Sequence, residues 1–97
     1  MATLIVTLQQ EKEEILAIAN RHHADNVRLF GSVARGEDRP DSDVDFLVDF
    51  QPGATLFDQA ALIDALSIKL GRRVDVISSR ALNSHLQQKI REEAVTL

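Results

Sequence analysis

The stretch that decides the fold runs from Val27 to Phe50, VRLFGSVARGEDRPDSDVDFLVDF. Its two apolar runs, Val27–Phe30 and Asp43–Phe50, read as strands. Between them Gly31-Ser32 opens a short helical turn over Ser32–Gly36, where Gly36 is able to take a left-handed conformation. A polar loop, EDRPDS, follows, and its Pro40 prevents the helix from continuing. The two strands are joined by about 12 residues, too few for a crossover helix, so they are expected to be antiparallel neighbours. The second strand carries acids at Asp43 and Asp45, and a buried strand should not want carboxylates.

Geometry offers a use for them. On a helix, residues i and i+2 point roughly 200° apart. On a strand they share one face, about 6.6–6.8 Å apart along the backbone. Two carboxylates so placed lean over one or two cations, and paired ions in phosphoryl-transfer sites sit roughly 3.5–4 Å apart. Val44, Phe46 and Val48 then face the helices, while Leu47, on the acids' face, needs cover from another element. Asp75 repeats the pattern inside VDVI. If its strand neighbours the second, it joins Asp43 and Asp45. Three clustered carboxylates repel and raise one another's pKa, and a divalent cation removes that penalty. Mg²⁺ suits such hard oxygen ligands in a chain without sulfur donors of the cysteine type. Singly, a D-x-D pair, a lone Asp75 or a Gly-Ser turn is ordinary surface or strand-end structure; their order and placement together carry the reading.

Gly31 lets backbone approach a ligand closely. Ser32 caps the short turn and offers its hydroxyl to a phosphate. Arg35, one turn on, either adds positive charge there or is a solvated surface arginine.

The flanks complete a domain. Thr7 to Gln10 matches a capping box, predicting a first helix from Leu8 to His23 with Leu8, Ile15, Ile18 and Ala19 near one face. His22 and His23 fall at its C-terminal end as exposed residues favoured by the helix dipole. Thr55 to Asp58 is a second capping box, and Leu56–Leu70 is expected to be helical. There Phe57, Ala61, Ala65 and Ile68 share one side, with Leu62 and Leu66 beside them. Gly71 is the expected stop. Val74–Ser78 is a third strand, Asn83–Glu93 a last helix with Leu82, Leu86, Ile90 and Ala94 at i, i+4 spacing, and VTL a possible short strand. The expected class is α/β (α+β), a small mixed sheet packed by helices.

With 97 residues the chain is expected to form one domain spanning 1–97. A hydrophobic fraction of 44% supports a core and excludes wholesale disorder. An aromatic fraction of 4% and a net charge of -4 argue against a general nucleic-acid binder, though not against a nucleotide held through metal. The absence of cysteine excludes disulfides, thiolate catalysis and zinc-thiolate sites. MATLIVTL is short, lacks a basic start and is followed at once by QQEKEE, so it does not read as a signal peptide. No apolar run approaches the roughly 20 residues of a membrane helix. A cytoplasmic location is expected.

Gly31-Ser32, ten intervening residues, then Asp43-x-Asp45 resembles the GS-x10-DxD signature of the polymerase-beta-type nucleotidyltransferase superfamily. LFGSVARGEDRPDSDVDFLVDF resembles its minimal nucleotidyltransferase branch, and LGRRVDVIS and KIREEAVTL extend the likeness over nearly the whole chain. The resemblance implies the nucleotidyltransferase fold, with Gly31 and Ser32 holding the triphosphate of ATP. It also implies that Asp43 and Asp45 coordinate Mg²⁺ and that Asp75 is a third metal ligand and the base for the attacking hydroxyl. Proteins of this branch are commonly antitoxins paired with HEPN ribonuclease toxins, so it further implies transfer of AMP from ATP to a tyrosine of such a partner. Two alternatives stand beside that: a non-catalytic antitoxin that occludes its partner, and nucleotidyl transfer to a small molecule such as an aminoglycoside. The missing acceptor domain counts against the last.

Overall fold

A computed structural model describes residues 4–81 and 84–97. In chain order the elements are α1 (Leu4–Gln10), α2 (Lys12–Arg21), β1 (Ala24–Phe30), α3 (Gly31–Ala34), β2 (Val44–Phe50), α4 (Leu56–Leu70), β3 (Val74–Ser78), a 3₁₀ turn (Ser79–Ala81), α5 (Ser84–Glu93) and β4 (Val95–Thr96). The strands form one mixed sheet in the order β3-β2-β1-β4. β1 runs antiparallel to β2 and to β4, whereas β2 and β3 are parallel and joined through α4. The fold class and the antiparallel pairing of the first two strands are as expected.

Alternation along β2 explains its central place. Val44, Phe46 and Val48 are fully buried and pack with Leu29 of β1, Val74 and Val76 of β3, and Leu8, Ile15, Ala19, Leu62 and Leu66 of the helices. Leu47 points to the opposite face and is nonetheless 2% exposed, because Ile90 of α5 covers that side. Both faces of β2 are therefore closed over its middle, the usual condition of a strand with a parallel neighbour. β3 is an edge strand, and Gln59 of α4 donates to its Val76 carbonyl at 2.7 Å.

Three expectations are corrected. The first helix begins at Leu4 rather than at a Thr7 cap, because Leu4 and Ile5 pack against the core together with Leu8. It is interrupted at Glu11 and ends at Arg21, with His22 and His23 donating backbone bonds to Ala19 and Asn20. β1 begins at Ala24, earlier than Val27, and carries a register irregularity between Asp25 and Arg28 where Asn26 takes a φ of 49°. Asparagine tolerates that left-handed region better than most residues.

The third correction concerns α4. Its bounds, its capping box (Asp58 N–H to Thr55 Oγ1, Thr55 N–H to Asp58 Oδ2) and its left-handed stop at Gly71 are as read from sequence. Its buried side is not. Leu62 and Leu66 face the sheet, while Phe57 is 87% and Ile68 76% exposed. On the inner side Ile63 and Leu70 pack against the core, and Lys69 pairs with Glu11 and Glu14 to tie α4 to the first helices. Of the last helix's apolar spacing, Ile90 is buried as expected; Leu82 and Asn83 lie outside the described residues, as does the side chain of Leu86.

This assignment has a direct consequence. Leu62→Ala is expected to cost about 2–5 kcal/mol by opening a cavity under the sheet. Phe57→Ala and Ile68→Ala should stay within about 0.5 kcal/mol of the parent. Urea denaturation of the three variants separates the two faces.

Candidate functional site

Each acid is positioned by the ladder. Phe30 of β1 pairs with Asp45 of β2, and Asp45 pairs with Asp75 of β3. The three therefore form one row across the sheet, neighbours about 4.8 Å apart. Arg28, Leu47 and Ile77 form the next row on the same face. Asp43 lies just before β2, not within it, and Asp75 is exposed while Asp45 is half-buried.

Gly31 follows Phe30 with a φ of 74°, and a Cβ built there would sit 2.5 Å from Asp45 Oδ2. The turn thus requires glycine twice, for its left-handed backbone and for the carboxylate lying over it. Ser32 is the second residue of the four-residue helix α3. It is half-buried, its carbonyl accepts from Glu37 N–H at 2.9 Å, and its hydroxyl bonds to no described residue. Arg35 ends that helix. Its guanidinium meets Glu37 at 3.1 Å and Glu93 of α5 at 3.4 Å, which holds it charged above its ordinary range.

Electrostatically the row is under stress. Burial pushes the Asp45 carboxyl up, and the charges of Asp75 and Asp43 push it further, with Arg35 only partly offsetting them. The Oδ1 of Asp43 meets Arg73 Nε at 3.0 Å. Among the described residues no three His, Cys, Asp or Glu side chains converge as a ready metal-holding group. The donor chemistry nonetheless fits a hard divalent cation: three carboxylates in mutual repulsion at a glycine that leaves room for one of them. The Arg73 pair competes weakly, since it is solvent-exposed and such pairs contribute about 0–1 kcal/mol.

Two features were not read from sequence. Arg72 Nη2 donates to the carbonyls of Arg39, Pro40 and Ser42 at 2.9, 2.9 and 3.1 Å, tying down the loop that presents Asp43. Only the parallel register reveals this, since it sets the residues before β3 beside those before β2. The second is Asp49, which continues the period-two series Asp45, Leu47, Asp49. Burial alone would raise it, but bonds from Ser79, Asn26 and Arg28 outweigh that and hold it below the usual carboxylate range.

Two stability outcomes test the arrangement. Gly31→Ala should destabilise the fold by at least about 1–2 kcal/mol, the cost of the left-handed backbone alone, as read by chemical denaturation. Asp45→Asn should melt higher than the parent at neutral pH. The native pKa of Asp45 is raised, so its favourable contribution is fully present below the ordinary value of 3.8 and is lost as pH rises through the native value. The gap between variant and parent should close as pH falls through that window, and millimolar Mg²⁺ should raise the melting temperature of the parent but not of Asp45→Asn.

Comparison with known proteins agrees with the fold. The family model described as polymerase beta, nucleotidyltransferase, matches residues 13–97. The chain is 35% identical to the protein adenylyltransferase MntA of Thermococcus cleftensis, covering 86% of this chain and 92% of that one. A solved candidate minimal nucleotidyltransferase superposes with a TM-score of 0.85 at 49% identity, covering 94% of this chain and 93% of that one. A chain from the complex of a tri-AMPylated Shewanella oneidensis HEPN toxin with an MNT antitoxin shares the fold, with a TM-score of 0.69 at 19% identity over 91% of this chain and 69% of that one. With the match extending over almost its whole length, the chain belongs to the polymerase-beta nucleotidyltransferase family, in its minimal branch.

Proposed function

We propose that this nucleotidyltransferase acts as an antitoxin, moving AMP from ATP to a tyrosine of a HEPN ribonuclease partner and so neutralising it. The observation that carries the reading is the row Phe30–Asp45–Asp75 with Gly31 held under the Asp45 carboxylate. The relative named as a protein adenylyltransferase and the fold shared with a HEPN–MNT complex support it.

In this reading Asp43, Asp45 and Asp75 would hold Mg²⁺, which would neutralise charge on the phosphates. Gly31 and Ser32 receive the triphosphate, and Arg35 adds positive charge beside them. Asp75, the most exposed acid of the paired row, accepts the proton of the tyrosine hydroxyl as its oxygen attacks the α-phosphorus. The new O–P bond forms as the bond to the β-phosphate oxygen breaks, and pyrophosphate leaves. In this reading the partner supplies most of the acceptor side.

A second reading has its own observation. Leu56, Phe57 and Ile68 of α4 are 81%, 87% and 76% exposed, an apolar stripe suited to neutralising a partner by contact alone. One experiment separates the two. The chain is incubated with ATP, Mg²⁺ and a HEPN protein encoded beside it, and the partner is examined by mass spectrometry and assayed for RNase activity. Adenylate on a tyrosine, absent with Asp43→Asn/Asp45→Asn, is the expected result. If no modification appears and the double variant protects as well as the parent, neutralisation is by occlusion.

A further inference from the structure

Two adjacent arginines lead into β3, and they meet the loop before β2 in different ways. Arg72 is half-buried, and its Nη2 lies 2.9, 2.9 and 3.1 Å from the carbonyl oxygens of Arg39, Pro40 and Ser42. Arg73 is exposed, and its Nε meets Oδ1 of Asp43 at 3.0 Å. We propose that the two act with opposite sign on cation binding at Asp43: Arg72 is a positioning residue that fixes the backbone carrying this acid, and Arg73 is a counter-ion that an arriving divalent cation displaces. The inference rests on the metal-assisted transferase reading above and adds how Asp43 is readied for it.

The backbone is the first argument. Residues 39–42 close a turn of their own: Ser42 N–H donates to the Arg39 carbonyl at 2.9 Å, and Arg39 N–H donates to Ser42 Oγ at 2.7 Å. Asp43 lies between that turn and the first residue of β2. On the strand side, Val44 N–H bonds to the Arg73 carbonyl at 3.0 Å. On the loop side, Arg72 ties the turn to the same strand entrance, sharing the two N–H groups of one nitrogen among three acceptors. The backbone of Asp43 is thereby held from both directions. An acid ordered in advance loses less conformational freedom when a cation arrives.

The side chain of Arg73 is the second, and it works in the other direction. It is 82% exposed and that of Asp43 50%, so water screens the pair and the bridge is weak. It satisfies one carboxylate oxygen without locking it in place. A divalent cation that takes this oxygen gives up the bridge as part of its cost. A general field effect would make the two arginines alike, since removing either positive charge favours a cation nearby. Opposite signs therefore separate the proposed division of roles from the field of the surface as a whole.

The test titrates the whole chain with Mn²⁺, a hard cation that suits the same carboxylate ligands as Mg²⁺, and follows free Mn²⁺ by electron paramagnetic resonance. Arg72→Ala is expected to weaken Mn²⁺ about 3- to 10-fold, the effect of losing roughly one net hydrogen bond, even though a positive charge has been removed. Arg73→Ala is expected to tighten it about 2- to 5-fold, and the gain should vanish when Asp43→Asn is added. Should Arg72→Ala unfold, Arg72→Lys keeps the charge without the planar guanidinium and should weaken Mn²⁺ as well. If the folded Arg72 variants melt lower yet bind Mn²⁺ like the parent, Arg72 serves stability alone and the proposal falls. It falls equally if Arg73→Ala leaves the affinity unchanged, or if its gain persists beside Asp43→Asn. A parent that binds Mn²⁺ no better than Asp45→Asn would overturn the metal-assisted reading of the acid row itself, a result distinct from loss of the opposite signs.

Discussion

Two like charges held side by side by a parallel ladder are the constraint around which this chain is built. Asp45 and Asp75 are register partners, and neither can leave without moving its strand. A slip of one residue would turn Val44, Phe46 and Val48 out of the core. Burying each such side chain contributes about 1.5–3 kcal/mol. The repulsion between two partly solvated carboxylates is about 1–4 kcal/mol at contact distance. The core set wins by several-fold, so the hydrophobic face of the sheet dictates where the acids stand on the other.

That arrangement explains why a loop so rich in polar residues is so firmly held. The connection from β1 to β2 must bring Gly31 under Asp45 and then deliver Asp43 to the same edge. Three carbonyls of its second half converge on one guanidinium, Arg72, and Val44 N–H bonds to the Arg73 carbonyl at 3.0 Å. Arg73 itself holds Asp43. The residues that enter β3 thus organise the residues that enter β2, and the crossover through α4 places them there. The Gly31 turn, Asp43, Asp45 and Asp75 belong to one mechanical unit.

Much of this was legible in sequence because short-range rules dominate it. Strand alternation assigned Val44, Phe46 and Val48 to the core and the acids to the other face. The Thr55–Asp58 box and Gly71 bounded α4 to the residue. What failed needed knowledge of partners. Phe57, Ala61, Ala65 and Ile68 form as good an apolar stripe as the one containing Leu62 and Leu66. Only the sheet decides which stripe is buried, and it selects the second. Thr7 satisfied a local capping pattern but lost to three apolar side chains, Leu4, Ile5 and Leu8, that bury together. Arg72 had no local signature because its three acceptors lie about thirty residues away.

One sheet face here serves both chemistry and packing, and α5 is placed to satisfy both. It brings Ile90 to the recess that Leu47 lines, on the sheet face that also carries Asp45 and Asp75. Had it reached further, the acids would lose water and their repulsion would grow; had it covered less, Leu47 would be exposed at the centre of the sheet. Asp49, in the row behind Leu47, avoids the same conflict by bonding Arg28, Asn26 and Ser79. Two carboxylates on one strand, four residues apart, thus hold opposite states of stress. Asp49 is satisfied by its neighbours and has no need of a cation, whereas Asp45 is left facing like charges. Glu93 of α5 links back to the strained row through Arg35, whose charge already eases Asp45. Any ligand that draws Arg35 toward its own phosphates weakens that relief and must supply a compensating cation, so anion and divalent metal are expected to bind this face together rather than separately.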